Sequence, residues 1–290
     1  MCRLFAQLSL SPRSAEDFLL DSDFSLLAQS RGKRGNLQRD GWGLGWHEQG
    51  RARVIRSPYP VYEEKERLRQ AARGAVARIV IGHVRAASNP LGLDKKSLIV
   101  ETNSQPFTDG RWIFAHNGTL HIPRETAAAL GPLRARLRGQ NDSEVYFWHL
   151  LKHLRRAGSF HEAVQLALLE LWDIWDGCRK RHPGKPGPYS SLNVVMSDGE
   201  ALHAVCHAAA RGLAVAGIFH PRQPWSQMSF ARRGDRLVIG SEGFDRRAWQ
   251  LMTPPETLSA AVVRGRVAVE RRALSGVPQL PLRAEEAVAA

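Results

Sequence analysis

The chain begins MCRLFA (residues 1–6), a cysteine directly behind the initiator methionine and then an apolar run. Chain termini usually fray, and a thiol exposed there is a liability. Cys2 is therefore either a small buried residue opening a strand or a group with a chemical use. The second reading has a simple route. Methionine aminopeptidases remove the initiator when the next side chain is small, and cysteine qualifies. Cys2 would then carry both a thiol and a free α-amine, whose pKa of about 8 lets it act as base for its own side chain.

Composition bounds the alternatives. The chain has 290 residues, 43% of them hydrophobic, enough to bury a full core as one large domain or two small ones. Its longest apolar runs, such as GLAVAGIF (Gly212 to Phe219), are strand-sized rather than membrane-sized. No basic stretch followed by an apolar segment and a small-residue cleavage site opens the chain, so no signal peptide is expected. Three cysteines, Cys2, Cys178 and Cys206, form no CxxC pair, which predicts neither a disulfide framework nor a zinc site and fits the reducing cytoplasm. The net charge of +13 raises the question of nucleic acid. Only seven of the 41 basic residues are lysine, as in arginine-heavy GC-rich genomes, and only CRKRHPGK (Cys178 to Lys185) is a tight basic cluster. Neither a nucleic-acid partner nor a membrane is expected.

Strands are read at LFAQLSL (Leu4 to Leu10), at a hairpin of DGWGLGWHE (Asp40 to Glu48) with RARVIRS, at ARIVIGHVR (Ala77 to Arg85) and at RWIFAHNG (Arg111 to Gly118). Helices are read at EEKERLRQAARGA (Glu63 to Ala75), from about Asp142, and from Phe160 to about Trp175. The loop HPGKPGPYSS (His182 to Ser191) precedes two strands around an Asp198-Gly199 turn, and further strands are expected at RLVIGS and AAVVRGRVAVE. Strands, then long helices, then strands give an α+β fold with two sheets. One domain over residues 2–275 is expected, with 276–290 as a C-terminal tail.

Three further segments bear on Cys2. GHVRAASNP (Gly82 to Pro90) ends a strand on Arg85, which can grip a carboxylate bidentately, with Ser88 and Asn89 beside it. It also reads as a surface arginine before a serine turn. FAHNGTL (Phe114 to Leu120) sets the Asn117 amide beside the Gly118 N–H, two oxyanion donors; Asn-Gly is equally a hairpin turn. GQNDSEVYF (Gly139 to Phe147) puts Asp142 at a helix start, where it could bind an ammonium or simply cap the helix. Each bland reading stands alone. Together the set supplies a nucleophile, a base, an oxyanion hole and grips for an amino-acid head group, which describes cleavage of a γ-glutamyl amide.

MCRLFA, DGWG, GHVRAAS, NSQPF, AHNG and NDSE also occur here in the order seen in class II glutamine amidotransferases of the N-terminal nucleophile hydrolase superfamily. The chain resembles the small stand-alone members, in SDGE and SEGFDRRAWQLM (Ser241 to Met252) as well. The resemblance implies a four-layer αββα sandwich with Cys2 at the sheet edge. It implies Arg85 on the glutamine carboxylate, Asp142 on its α-amine, and Asn117 with Gly118 as the oxyanion hole, with Ser88 assisting. Asp40 and Gly41 would lie near the nucleophile and Trp42 in the core; His83 and His116 would be structural, and Cys178 and Cys206 inert. Two positions depart from the pattern: Ala86 stands where synthase-fused members have a large aromatic, and Asn141 where the head-group motif has threonine. No metal or organic cofactor is required. The expected substrate is glutamine, with ammonia passed to a partner subunit, or a substituted γ-glutamyl compound hydrolysed as by the ergothioneine-pathway amidases. A non-enzymatic ligand-binding module on the same fold is the third reading.

Overall fold

Odd and even residues of the first strand, β1 (Arg3–Arg13), face different cores. Leu4, Ala6 and Leu8 join one buried cluster and Phe5 another, the period of two that a strand imposes. The computed structural model describes residues 2–32, 38–208 and 215–278. Within them the strands that follow are β2 (Trp42–Glu48), β3 (Arg51–Ser57), β4 (Ala77–Val84), β5 (Phe107–Thr108), β6 (Ile113–Leu120), β7 (Tyr189–Ser197) and β8 (Ala201–Cys206). The last are β9 (Ser229–Arg233), β10 (Arg236–Gly240), β11 (Gln250–Leu251), β12 (Glu256–Val263) and β13 (Arg266–Ala273). The helices are α1 (Leu26–Arg31), α2 (Lys65–Gly74), α3 (Lys95–Leu98), α4 (Pro123–Ala128), α5 (Asp142–Leu154) and α6 (Phe160–Cys178).

Two antiparallel sheets result, ordered β11-β9-β10-β1-β4-β2-β3 and β13-β12-β8-β7-β6-β5. Their facing sides pack Leu4, Ala6, Ile79 and Ile81 from the first against Ile113, Ala115, Val195 and Ala204 from the second. On the outer side of the first sheet, Phe5, Leu44, Val80 and Val84 meet α1, α2 and a π-helical turn at Asp17–Asp21. Helix α2 buries Leu68, Ala71 and Ala72, the i, i+3, i+4 spacing of one helical face. On the outer side of the second sheet, Phe114, Val194, Met196 and Val205 pack against Tyr146, Phe147 and Leu150 of α5 and Ala163 and Leu171 of α6. The order is helix, sheet, sheet, helix: the expected αββα sandwich.

The expected strands and long helices are present. One local reading is corrected: Tyr189 to Ser191 are not loop but the start of β7. Tyr189 is fully buried, and its hydroxyl accepts from Trp172 Nε1 at 3.0 Å and pairs with His207 Nε2 at 3.1 Å. Burial of that ring outweighs the glycine and proline residues before it. Val277 packs into the α5–α6 core, while residues 279–290 and Gly212 to Ala214 of the GLAVAGIF run lie outside the described residues. No helix among the described residues is long and apolar enough to cross a membrane.

Phe5 sits 5.2 Å from Phe244, edge to face, at the centre of the outer core. Phe5→Ala should lower unfolding stability by about 3–5 kcal/mol in denaturant titration. Val263→Ala, at a side chain 51% exposed, should change it by less than about 0.5 kcal/mol.

Candidate active site

The β1–β4 ladder pairs Leu4 with His83 and Arg3 with Val84, so one further step brings Cys2 alongside Arg85. Cys2 shares the even face of β1, pointing between the sheets, and is 8% exposed. Its Sγ lies 3.5 Å from the Ala86 carbonyl oxygen. Beyond the strand, Arg85 stays in register with the loop before β2: its N–H donates to Gly41 O at 2.8 Å and its carbonyl accepts from Asp40 N at 3.1 Å. The Asp40 carboxylate accepts from Ala87 N at 2.8 Å, which fixes the turn after Arg85. Glycine is required at 41: φ is +121°, and a Cβ would lie 2.6 Å from the Ser57 carbonyl oxygen. The Arg85 guanidinium donates to Leu98 O at 3.1 Å and Asp40 O at 3.4 Å, which aims it. Trp42 is wholly buried in the outer core, as expected.

Asp142 is not the cap of α5. Asn141 is: its side chain accepts from Ser143 N at 2.8 Å and donates to Asn103 O at 2.6 Å. The residue that departs from the family pattern thus does the capping, and Asp142, freed from it, reaches across to β6. Its carboxylate accepts from Leu120 N at 2.8 Å and lies 3.5 Å from the donating Ser88 hydroxyl. Burial pushes its pKa up to about 6, with the Leu120 amide and Arg85 pulling the other way. The Cys2 thiol is likewise pushed up by burial, and Arg85 pulls it back. Cys2 and Arg85 each feel the charge of the other two groups, and Asp142 feels that of Arg85. Cys2, Arg85, Ser88 and Asp142 therefore form one cluster.

Asn117 and Gly118 lie inside β6, not in a hairpin turn. Ile113 and Ala115 face the other sheet, and Asn117 continues that face. Its Nδ2 is 3.5 Å from Ser241 Oγ, which accepts from Leu4 N at 3.0 Å, two residues from Cys2. Asn117 Oδ1 is buried with no hydrogen-bond partner among the described residues. At Gly118 a side chain would collide with the Ser191 carbonyl and approach His116 Nε2 to 2.7 Å, so glycine is demanded by packing as well. His116 is structural: Nδ1 pairs with Ser143 Oγ at 2.9 Å and Nε2 with Ser191 O at 3.1 Å, and burial holds its pKa near 4. His83 is fully buried, and burial then Arg85 lower its pKa to about 3, so it is no base.

Several supports had no signal of their own in the sequence. Gln105 clamps the His116 backbone, accepting at 2.6 Å and donating at 3.1 Å. Glu242 accepts from the backbone of Ile218, Phe219 and His220 at 2.9, 2.5 and 2.6 Å. It lies 3.9 Å from Arg3, whose guanidinium stacks 3.4 Å over Trp225. Ser241 and Glu242 fall in the quoted SEGFDRRAWQLM, but nothing in that stretch tells which side chain turns inward.

Residues 1–235 match the family model described as glutamine amidotransferases class-II. The γ-glutamyl-hercynylcysteine sulfoxide hydrolase of Mycobacterium tuberculosis is 30% identical over 254 residues, 84% of this chain and 86% of that protein. The protein of the same name from Mycolicibacterium smegmatis is 36% identical over 123 residues, 41% of this chain and about half (51%) of its own length. Among solved structures, a class-II glutamine aminotransferase domain protein from Silicibacter pomeroyi superposes with a TM-score of 0.61 at 19% identity, covering 93% of this chain and 98% of that one. Glutamine phosphoribosylpyrophosphate amidotransferase from B. subtilis gives 0.58 at 16%, covering 93% of this chain and 49% of that one. Both likenesses concern the fold.

The raised pKa of Asp142 has a measurable sign. Below about pH 4 its carboxyl is protonated folded and unfolded alike and contributes nothing. As pH rises to about 6 it ionises first in the unfolded chain, so folding loses stability, and above that the penalty is constant. Asp142→Asn keeps an acceptor for Leu120 N without the charge. The variant should be more stable than wild type at pH 8, by up to about 3 kcal/mol, with the gap closing by pH 4 in parallel denaturant titrations.

Proposed function

This chain belongs to the class-II glutamine amidotransferases, and from that membership we propose that it hydrolyses a γ-glutamyl amide with Cys2 as nucleophile. The supporting observation is the cation–carboxylate pair of Arg85 and Asp142 set in the same charge cluster as the Cys2 thiol. A γ-glutamyl group ends in an α-carboxylate and an α-ammonium, and the pair offers one complementary charge for each. Asp142, ionised above about pH 6, takes the ammonium with Ser88 beside it; Arg85 takes the carboxylate.

A thiol whose pKa is raised by burial needs a base before it can attack. After loss of Met1, the α-amine of Cys2 accepts the thiol proton, and Sγ adds to the amide carbon. The oxyanion is held by the Asn117 side-chain amide N–H and by the Gly118 N–H. The C–N bond then breaks, the leaving amine takes the proton from the α-ammonium, and a γ-glutamyl thioester remains. Water, deprotonated by the same α-amine, attacks the thioester; glutamate leaves and the thiol is regenerated.

The family and the hydrolase relatives make the chain an enzyme rather than a ligand-binding module. For the leaving group, a relative aligned over 84% of this chain and named for a γ-glutamyl derivative of a substituted cysteine favours that class over glutamine. Water is then the acceptor, and no ammonia-receiving subunit is needed.

A panel of γ-glutamyl amides assayed with the purified protein tests this reading. Substituted γ-glutamylcysteines, the hercynylcysteine sulfoxide derivative among them, should be cleaved with a kcat/KM at least about 100-fold above that of glutamine, about 2.7 kcal/mol in discrimination. Cys2→Ala should fold normally and lose at least about 10³-fold in kcat, and Asn117→Ala about 10²–10³-fold. Preference for glutamine with release of ammonia would restore the glutaminase reading, and full turnover by Cys2→Ala would remove Cys2 from the mechanism.

A further inference from the structure

Away from Cys2, on the outer side of the second sheet, His149 and His153 stand one turn apart on α5 opposite Glu170 of α6. Their ring centroids are 5.0 Å apart. One nitrogen of each ring and one Glu170 oxygen lie within 4.8 Å of one another. His153 Nε2 is 2.7 Å and His149 Nδ1 3.7 Å from Glu170 Oε2. Two ligands on one tetrahedral ion at about 2.0–2.1 Å stand about 3.3 Å apart, so small side-chain shifts would close this geometry on a single ion.

The surrounding contacts orient these three donors. His149 is fully buried, and its Nε2 donates to the Ala167 carbonyl at 3.0 Å. That bond leaves Nδ1 as the lone-pair nitrogen, buried and without a hydrogen-bond partner, facing a carboxylate oxygen. A lone pair opposed to a carboxylate is unfavourable unless something positive lies between them. The other Glu170 oxygen, Oε1, accepts from Lys152 Nζ at 2.5 Å, and Lys152 also donates to the Ala129 carbonyl at 3.0 Å. A ring N–H given to a backbone carbonyl, and a carboxylate steadied on its far oxygen, are what metal ligands ordinarily carry behind them.

We propose that His149, His153 and Glu170 bind one divalent transition-metal ion of the zinc class, clamping α5 to α6, with a fourth position left for water. Two imidazoles and a carboxylate suit zinc and its neighbours rather than calcium or magnesium, which prefer an all-oxygen shell. The ion takes no part in the chemistry at Cys2, for which no metal is required. A second group, Glu125, Cys178 and His182, is weaker, because Glu125 Oε1 is already shared by His182 at 3.0 Å and Arg181 at 3.3 Å.

Calorimetric titration of chelator-treated full-length protein with zinc chloride should show one equivalent bound per chain. Binding should raise the thermal midpoint, and the cobalt(II) form should show ligand-field bands without sulfur charge-transfer bands. His153→Gln and Glu170→Gln, at partly exposed positions, should each fold and weaken zinc binding at least tenfold, and His149→Gln should do the same if it folds. No stoichiometric binding, binding untouched by His153→Gln and Glu170→Gln, or sulfur charge-transfer bands would each overturn the assignment.

Discussion

The strand β1 is held by hydrogen bonds on both edges, to β4 and to β10, and everything at the site follows from that double ladder. A terminus bonded on one side can slip, and a slip of one residue turns every side chain to the other face. Here Leu4, Ala6 and Leu8 must lie between the sheets and Phe5 must lie outside, so the register is decided by burial on both faces. Cys2 inherits its direction from that choice. The same parity carries Arg85 just past the end of β4 and Asn117 along β6, and the loop before β2 then holds and aims Arg85.

Convergence has an electrostatic consequence. Burial raises both the Cys2 thiol and the Asp142 carboxyl, while Arg85 offsets part of each. A neutral core would be easier to build, since buried ionisable groups are costly unless partnered. Neighbours already restrain them: Leu120 N and Ser88 on Asp142, Leu98 and Asp40 carbonyls on Arg85. A zwitterionic head group would add the remaining charge complement. Further back, the Arg3–Glu242 pair ties the first residue of β1 to the backbone of residues 218–220, stiffening the strand from behind.

Much of this was legible because it is local. An apolar run marked β1 and β-branched content marked β4, Asn-Asp-Ser before an apolar run marked the start of α5, and Asp198-Gly199 marked the β7–β8 hairpin. What escaped depends on partners distant in the chain. Asn141 and Asp142 are both good caps, and only the position of Leu120 and Asn103 decides which one caps. Asn117-Gly118 is a strong turn signal overridden because β7 pairs alongside it, from Ile113 against Ser197 to Gly118 against Leu192. Tyr189 looked like the end of a glycine-proline loop until a pocket formed by Trp172 and His207 claimed its ring. His149 and His153 show helical spacing, but Glu170 joins them only once α6 has folded back.

The central claim is that residue 2 carries both nucleophile and base. It is tested most directly by treating the purified protein with an electrophilic glutamine analogue, then mapping the adduct and the terminus by mass spectrometry. One label per chain on the Cys2 sulfur, in a polypeptide that begins at Cys2 with an unmodified amine, is the expected result. A terminus that retains Met1 in fully active protein, or a label on Cys178 or Cys206 with Cys2 untouched, would contradict it.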